Sequence, residues 1–214
     1  KRIEAIAREK KIPMQYVDRS ALDRIVGSKD GTGVHQGVVA YVASHTYAEL
    51  EDLFVAAEER REPPFFLLLD GVEDPHNLGA ILRSVDGAGA HGVIIPKRRA
   101  AGLTETVAKA SAGALEYVPV VKVANLAQTI EALKKKGLWI GACDMDGEVY
   151  DKQDLSGPIG LVLGGEGQGV SRLVREQCDF AVAIPMEGKI PSLNASNAAS
   201  VLLYEVRRQR RSKL

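Results

Sequence analysis

Cysteine is scarce: Cys143 and Cys178 are the only two in 214 residues, far apart and in no C-x-x-C pair. Such a pair suggests neither a zinc site nor a disulfide framework and fits a reducing compartment. An excess of one charge is missing as well, because 28 Lys and Arg balance 28 Asp and Glu. No global field therefore draws in nucleic acid, and any such surface has to come from local clusters. No apolar run reaches the roughly 18 residues of a membrane span, and the N-terminus is charged rather than signal-like. His35, His45, His76 and His91 stand at no ligand spacing, which leaves metal catalysis little support.

Familiar phosphate and hydrolase signatures are lacking too. Gly165-x-Gly167 runs on as Gln168-Gly169-Val170, which breaks the G-x-G-x-x-G spacing, and Lys189 stands where an acidic residue should follow. There is no Walker A sequence and no G-x-S-x-G elbow. The expectation is a soluble cytoplasmic protein with no membrane segment and no metal. Its first residue is Lys1 rather than Met, which reads as a fragment or a processed product.

What is present is 45% apolar sequence, enough for a real core. From Phe65 onward, short apolar runs alternate with helix-like stretches. Strands are predicted over 65–72, 92–96, 117–123, 138–144, 160–165 and 180–185. Helices are predicted over 77–90, 103–111, 126–136, 170–178 and 194–209. Continuous apolar strands alternating with helices indicate an α/β class, a mostly parallel sheet covered on both faces. Residues 1–43 read differently, as two short helices, a glycine-rich turn and a strand over 37–43. They are too few to fold comfortably alone and look like the C-terminal part of a small α/β module. A polar helix and linker over 44–64 joins them to a main domain over 65–214.

Three segments concentrate glycine and small polar residues at the ends of predicted strands, where open α/β sheets bind ligands. In "DGVEDPHNLGAILRS" (70–84), Asn77 is a candidate N-cap and Arg83 lies about two turns into the helix. "LGGEGQGVS" (163–171) brings four glycines up to the crevice with Glu166 as its only charge. "IPMEGKIPSLNASN" (184–197) offers Ser192, Asn194, Ser196 and Asn197 where a helix needs one cap. Basic clusters stand at Lys97, Arg98 and Arg99 and again from Arg207 to Lys213; either reads equally well as a solvated face or as an RNA contact.

In order, these three segments closely resemble the motifs of the SpoU (TrmH-type) branch of SPOUT RNA methyltransferases, over about residues 65–210. "KKIPMQYVDRSALDRIVG" followed by "VHQGVVA" is similar to the RNA-binding module that precedes the catalytic domain in several members. The two-domain arrangement is most like the members that methylate a guanosine 2'-hydroxyl in large-subunit rRNA. The resemblance implies S-adenosylmethionine as cofactor, a C-terminal trefoil knot, which breaks the usual unknotted topology, and a homodimer with the site near its interface. It implies that Gly164, Gly165, Ile184, Met186 and Leu193 hold the methyl donor, largely through backbone groups. Asn77, Arg83, Glu166, Ser192 and Asn194 fall at the polar catalytic positions. Arg83 is either the general base or, since a guanidinium stays charged, a partner of the target's phosphate, with Glu166 orienting it. RNA, rRNA foremost, is the implied partner, contacted by the N-terminal module and Lys97–Arg99. One departure is Asn197, where members often carry an apolar residue. Two other readings stay open, a tRNA ribose methyltransferase and a catalytically silent RNA-binding assembly factor.

Overall fold

The computed structural model describes residues 2–10, 12–26, 35–40 and 45–213. The chain divides into two compact units, Lys1–Ala43 and Ser44–Leu214. In the first, α1 (Arg2–Glu9) and α2 (Arg19–Ile25) are short, and Asp18 caps α2 by accepting the Ala21 N–H. His35 takes the Gly37 N–H on Nδ1, so its Nε2 carries the proton and faces Asp23 at 3.0 Å. Ile3, Ile12 and Tyr16 stay exposed, as expected of a piece with little core of its own. Of the strand predicted over 37–43, Gly37 lies in a turn, residues 38–40 join no ladder, and 41–43 fall outside the described residues.

The second unit is built on a parallel sheet of six strands in the order β3-β2-β1-β5-β4-β6. These are β1 (Phe65–Asp70), β2 (Gly92–Pro96), β3 (Val120–Val123), β4 (Trp139–Val149), β5 (Ile159–Gly164) and β6 (Phe180–Ala183). The α/β class is as the sequence indicates. Alternation along β1 sends Phe65, Leu67 and Leu69 to one face and Phe66 and Leu68 to the other, all fully buried. The first face packs on α4 (Pro75–Ala88) and α8 (Ala195–Ser212), the second on α3 (Leu50–Arg60) and α6 (Leu126–Lys135). Each such side chain contributes about 1.5–3 kcal/mol by leaving water. The helix of the 44–64 segment is α3, and it belongs to this unit: Leu53 is buried against the sheet beside Phe66 and Ile94.

Several element limits differ from the sequence reading, each for a local reason. Helix α4 starts at Pro75, capped by Asp74, so Asn77 is an interior helical residue rather than the cap. Thr104 caps α5 (Glu105–Ala110) and Ser171 precedes α7 (Arg172–Gln177), shortening both at their N-termini. A 3₁₀ turn over Ala114–Glu116 has Tyr117 as its C-cap, and the third strand begins only at Val120. Strand β4 runs on to Val149 because, after a register shift, Glu148 and Val149 pair again with β6. The C-terminal basic run is largely structural. Arg210 donates to the carbonyls of Pro63, Pro64 and Gly157 and lies over the Phe65 ring, while Arg207 pairs with Glu62 and Arg208 with Glu205. No helix among the described residues is long and apolar enough to cross a membrane.

Candidate functional site

Strand order reverses at β1, which has β2 on one side and β5 on the other, and such switch points open a crevice at the C-terminal strand ends. Asp70 and Gly164 form the last β1–β5 pair. Beyond them, the Gly165 N–H donates to the Asp70 carbonyl and the Ser171 N–H donates to Asp70 Oδ2, both at 2.8 Å. The glycine run between these anchors closes on itself through a Gly165–Gly169 bridge. A side chain on Gly164 would collide with the Gly169 backbone, and one on Gly165 with the Gly71 carbonyl. Only glycine permits this approach.

Against that loop lies a cleft of ≈ 680 Å³. Gly164, Gly165, Ile184, Met186 and Leu193, the residues expected to hold a methyl donor, all line it, as do Glu166, Ser192 and Asn194. Leu163, Ala195 and Ala198 add apolar surface. Cys143 is in the wall, and burial pushes its thiol up to about 11, so it stays protonated and unreactive.

Glu166 ties three segments together. Its Oε1 accepts from Asn77 Nδ2 at 3.1 Å and from Asn194 Nδ2 at 2.6 Å. Asn194 is also the N-cap of α8, its Oδ1 accepting the Ser196 N–H and hydroxyl. The polar surplus of this segment thus has a division of labour. Asn194 and Ser196 start the helix, whereas Ser192 and Asn197 are exposed and their side chains make no hydrogen bond with the described residues.

Arg83 stands apart. Six residues beyond Asn77, it is rotated by roughly 240° about the helix axis, is exposed, and lines neither the cleft nor its neighbouring cavity. Its side chain makes no hydrogen bond or ion pair among the described residues. The expected pairing of Glu166 with Arg83 is therefore not what the structure has: Glu166 holds two asparagine amides instead.

A second, more polar cavity of ≈ 520 Å³ shares the Gly165–Glu166 wall and is lined further by Asp70, Glu73, Asp74, Asn77, Arg99 and Gln168. The sequence reading did not single out Asp70, Glu73, Asp74 or Gln168 as site residues, although all stand within the quoted motifs. It placed Arg99 in a surface basic cluster, yet Arg99 adopts a left-handed backbone (φ 57) and donates to Gln168 Oε1 at 2.9 Å. No three His, Cys, Asp or Glu side chains among the described residues gather as a metal site would require.

Residues 64–204 match the model of the SpoU rRNA Methylase family, and residues 1–48 match that of an RNA 2'-O ribose methyltransferase substrate binding domain. A Bacillus subtilis protein placed in the TrmH family of tRNA/rRNA methyltransferases is 55% identical over 206 residues, covering 96% of this chain and 81% of its own. Among solved structures, the SpoU methyltransferase AviRb from Streptomyces viridochromogenes, in complex with the cofactor AdoMet, superposes with a TM-score of 0.69 at 34% identity, over 78% of this chain and 66% of its own. An AdoMet-bound rRNA methyltransferase from Sinorhizobium meliloti gives 0.65 at 30% identity, over 69% of this chain and 57% of its own. The chain spans less than two thirds of either solved protein.

Proposed function

The chain belongs to the SpoU rRNA methylase family, and from that premise we propose that it methylates a ribose 2'-hydroxyl of RNA using S-adenosylmethionine, with a guanosine of large-subunit rRNA as target. The observation that carries the reading is the Asn77–Glu166–Asn194 junction, which stands between two adjoining cavities. The larger takes the methyl donor and the smaller the acceptor nucleotide.

The larger cleft fits its ligand. Gly164 and Gly165 bring bare main chain to its wall, and Ile184, Met186 and Leu193 offer apolar contact to a flat ring. S-adenosylmethionine supplies a methyl group made electrophilic by the sulfonium that carries it. The protein's part is positional. Glu166, fixed by two amides, sets the separation between the glycine loop and the start of α8, and holding reactants in line supplies much of such a rate. The positive end of the 18-residue α8 faces the same place and favours a developing alkoxide.

A homodimer gives Arg83 its role. Exposed on the outer side of α4 and absent from the cavities of its own chain, it would serve the site of a second copy, pairing with the target's phosphate and favouring loss of the hydroxyl proton by its charge. The N-terminal match to a substrate-binding domain supports RNA as partner, and the two-domain arrangement supports rRNA. A tRNA target is the second reading, because the names of the curated relatives span both RNAs. Free thiols at Cys143 and Cys178 suit the cytoplasm.

The test is calorimetric titration with S-adenosylmethionine, then transfer of labelled methyl to total rRNA and tRNA with mapping of the product. Saturable heat and a 2'-O-methylguanosine in large-subunit rRNA are expected. No heat would overturn the cofactor assignment, and label confined to tRNA would overturn the target.

A further inference from the structure

We propose that Glu73 and Arg99 read the base of the acceptor nucleotide, and that the smaller cavity is a guanine pocket. This rests on the reading of the protein as a ribose methyltransferase and names what its acceptor site selects. The cavity's charged lining is Asp70, Glu73, Asp74 and Glu166 against Arg99 alone. Four carboxylates facing one guanidinium repel a phosphate, so the occupant is a neutral group rich in hydrogen-bond donors.

Not all the carboxylates are free to receive it. Asp70 accepts the Ser171 N–H, Asp74 caps α4 through the His76 N–H, and Glu166 holds the two asparagines. Among the described residues the one ion-pair partner of Glu73 is Arg99, and that pair is open, with Nε and Oε1 3.9 Å apart. Arg99 has turned its Nη2 to Gln168 instead, which holds the guanidinium beside the carboxylate without closing on it. A donor and an acceptor thus lie side by side. Asn77, only 8% exposed and on the cavity wall, is held in place by the bond from its Nδ2 to Glu166.

One nucleobase complements this pair fully. Along its Watson–Crick edge guanine presents O6, N1–H and N2–H₂: an acceptor for Arg99, then two donors for the Glu73 carboxylate. Adenine reverses the first two positions, setting its amino group against the guanidinium and a lone pair against the carboxylate. Uracil matches the first two but turns its O2 towards Glu73, and cytosine sets an amino group against Arg99. Bases splayed out of RNA structure are commonly read on this edge.

The experiment uses the full chain and a short RNA hairpin around the mapped target, synthesised with guanosine, inosine or adenosine at that position. Inosine lacks only the N2 amine. With the unaltered protein, kcat/KM should fall about tenfold for inosine and at least about a hundredfold for adenosine, since a site built to hydrogen-bond rejects what leaves its groups unpaired. In Glu73→Gln, which keeps size and loses charge, the guanosine–inosine gap should close and adenosine should gain on guanosine, because the amide donates to adenine N1. Calorimetric affinity for S-adenosylmethionine should be unchanged. Equal use of the three RNAs by the unaltered protein, or both gaps persisting in Glu73→Gln, would overturn the guanine pocket. Cofactor binding with no methylation of the guanosine hairpin would overturn the underlying reading, and the pocket with it.

Discussion

Asn194 Nδ2 donates to Glu166 Oε1 at 2.6 Å across 28 residues of chain, while Asn194 Oδ1 receives the Ser196 N–H at 2.9 Å. One side chain both starts a helix and fixes the carboxylate of the glycine loop. The two duties are separable. Asn194→Asp keeps the cap but replaces the donor to Glu166 with a negative charge, so kcat should fall about a hundredfold or more while α8 stays capped. Asn194→Ala should lose about 1 kcal/mol of stability as well. Melting curves and single-turnover methyl transfer on both variants check this.

Gly164→Ala meets backbone that cannot give way, since the new Cβ would fall onto Gly169. Loss of measurable S-adenosylmethionine binding in calorimetry is expected, with about 2–4 kcal/mol of stability lost in urea titration. Gly157→Ala, where nothing lies within 4 Å, is the control and should bind normally.

Arg83→Ala should abolish methyl transfer and leave cofactor affinity nearly unchanged, because Arg83 lines neither cavity of its own chain. If it serves a second copy, mixing Arg83→Ala with Glu166→Ala, each inactive alone, restores one competent site per mixed dimer. About a quarter of the original activity should return after unfolding and joint refolding. No recovery in the mixture would put Arg83 to work within its own chain.

His91 makes stability depend on pH. It is wholly buried between β1 and β2, accepts the Phe65 N–H on Nδ1, and burial lowers its pKa to about 4. An unfolded histidine titrates near 6.5. Between these values the unfolded chain binds a proton that the folded one refuses. The contribution is complete above about pH 6.5 and is lost as pH falls towards about 4, reaching about 3 kcal/mol. Urea titrations near neutral pH and near pH 5 should differ by roughly 2 kcal/mol from this residue. His91→Asn, which does not titrate, should flatten the slope.

The core and much of the larger cleft were legible in the sequence because they are written in local terms. Runs such as Phe65–Leu69 and Ile159–Leu163 admit little but buried parallel strands, and the glycines announce close backbone passage at 164 and 165 and left-handed turns at 167 and 169. What escaped was set by tertiary pairing. Residues 145–149 mix Met and Val with Asp, Gly and Glu in no strand period, yet they extend β4 because β6 is there to pair with Glu148 and Val149. Asn77 read as a cap because Asp74-Pro75 also makes a good turn, and the Pro at the first helical position decides between them. Arg99 read only as one member of a basic cluster, solvated or touching RNA, since nothing in Lys97-Arg98-Arg99 distinguishes the third residue. Its partners, Glu73 and Gln168, are brought to it only by the fold. The same holds for Arg210, whose carbonyl partners lie far away in the chain.

The pairing of Phe65 with Ile159 and of Asp70 with Gly164 has a consequence for synthesis. The central strand leaves the ribosome long before the neighbour that covers one of its edges, and long-range parallel pairing is slow to form. During that interval a fully apolar strand stands with an open edge, the moment of greatest risk of aggregation. Because α8 closes both the sheet face and the methyl-donor cleft, a nascent chain gains its protection from aggregation and its capacity to bind ligand in one late event.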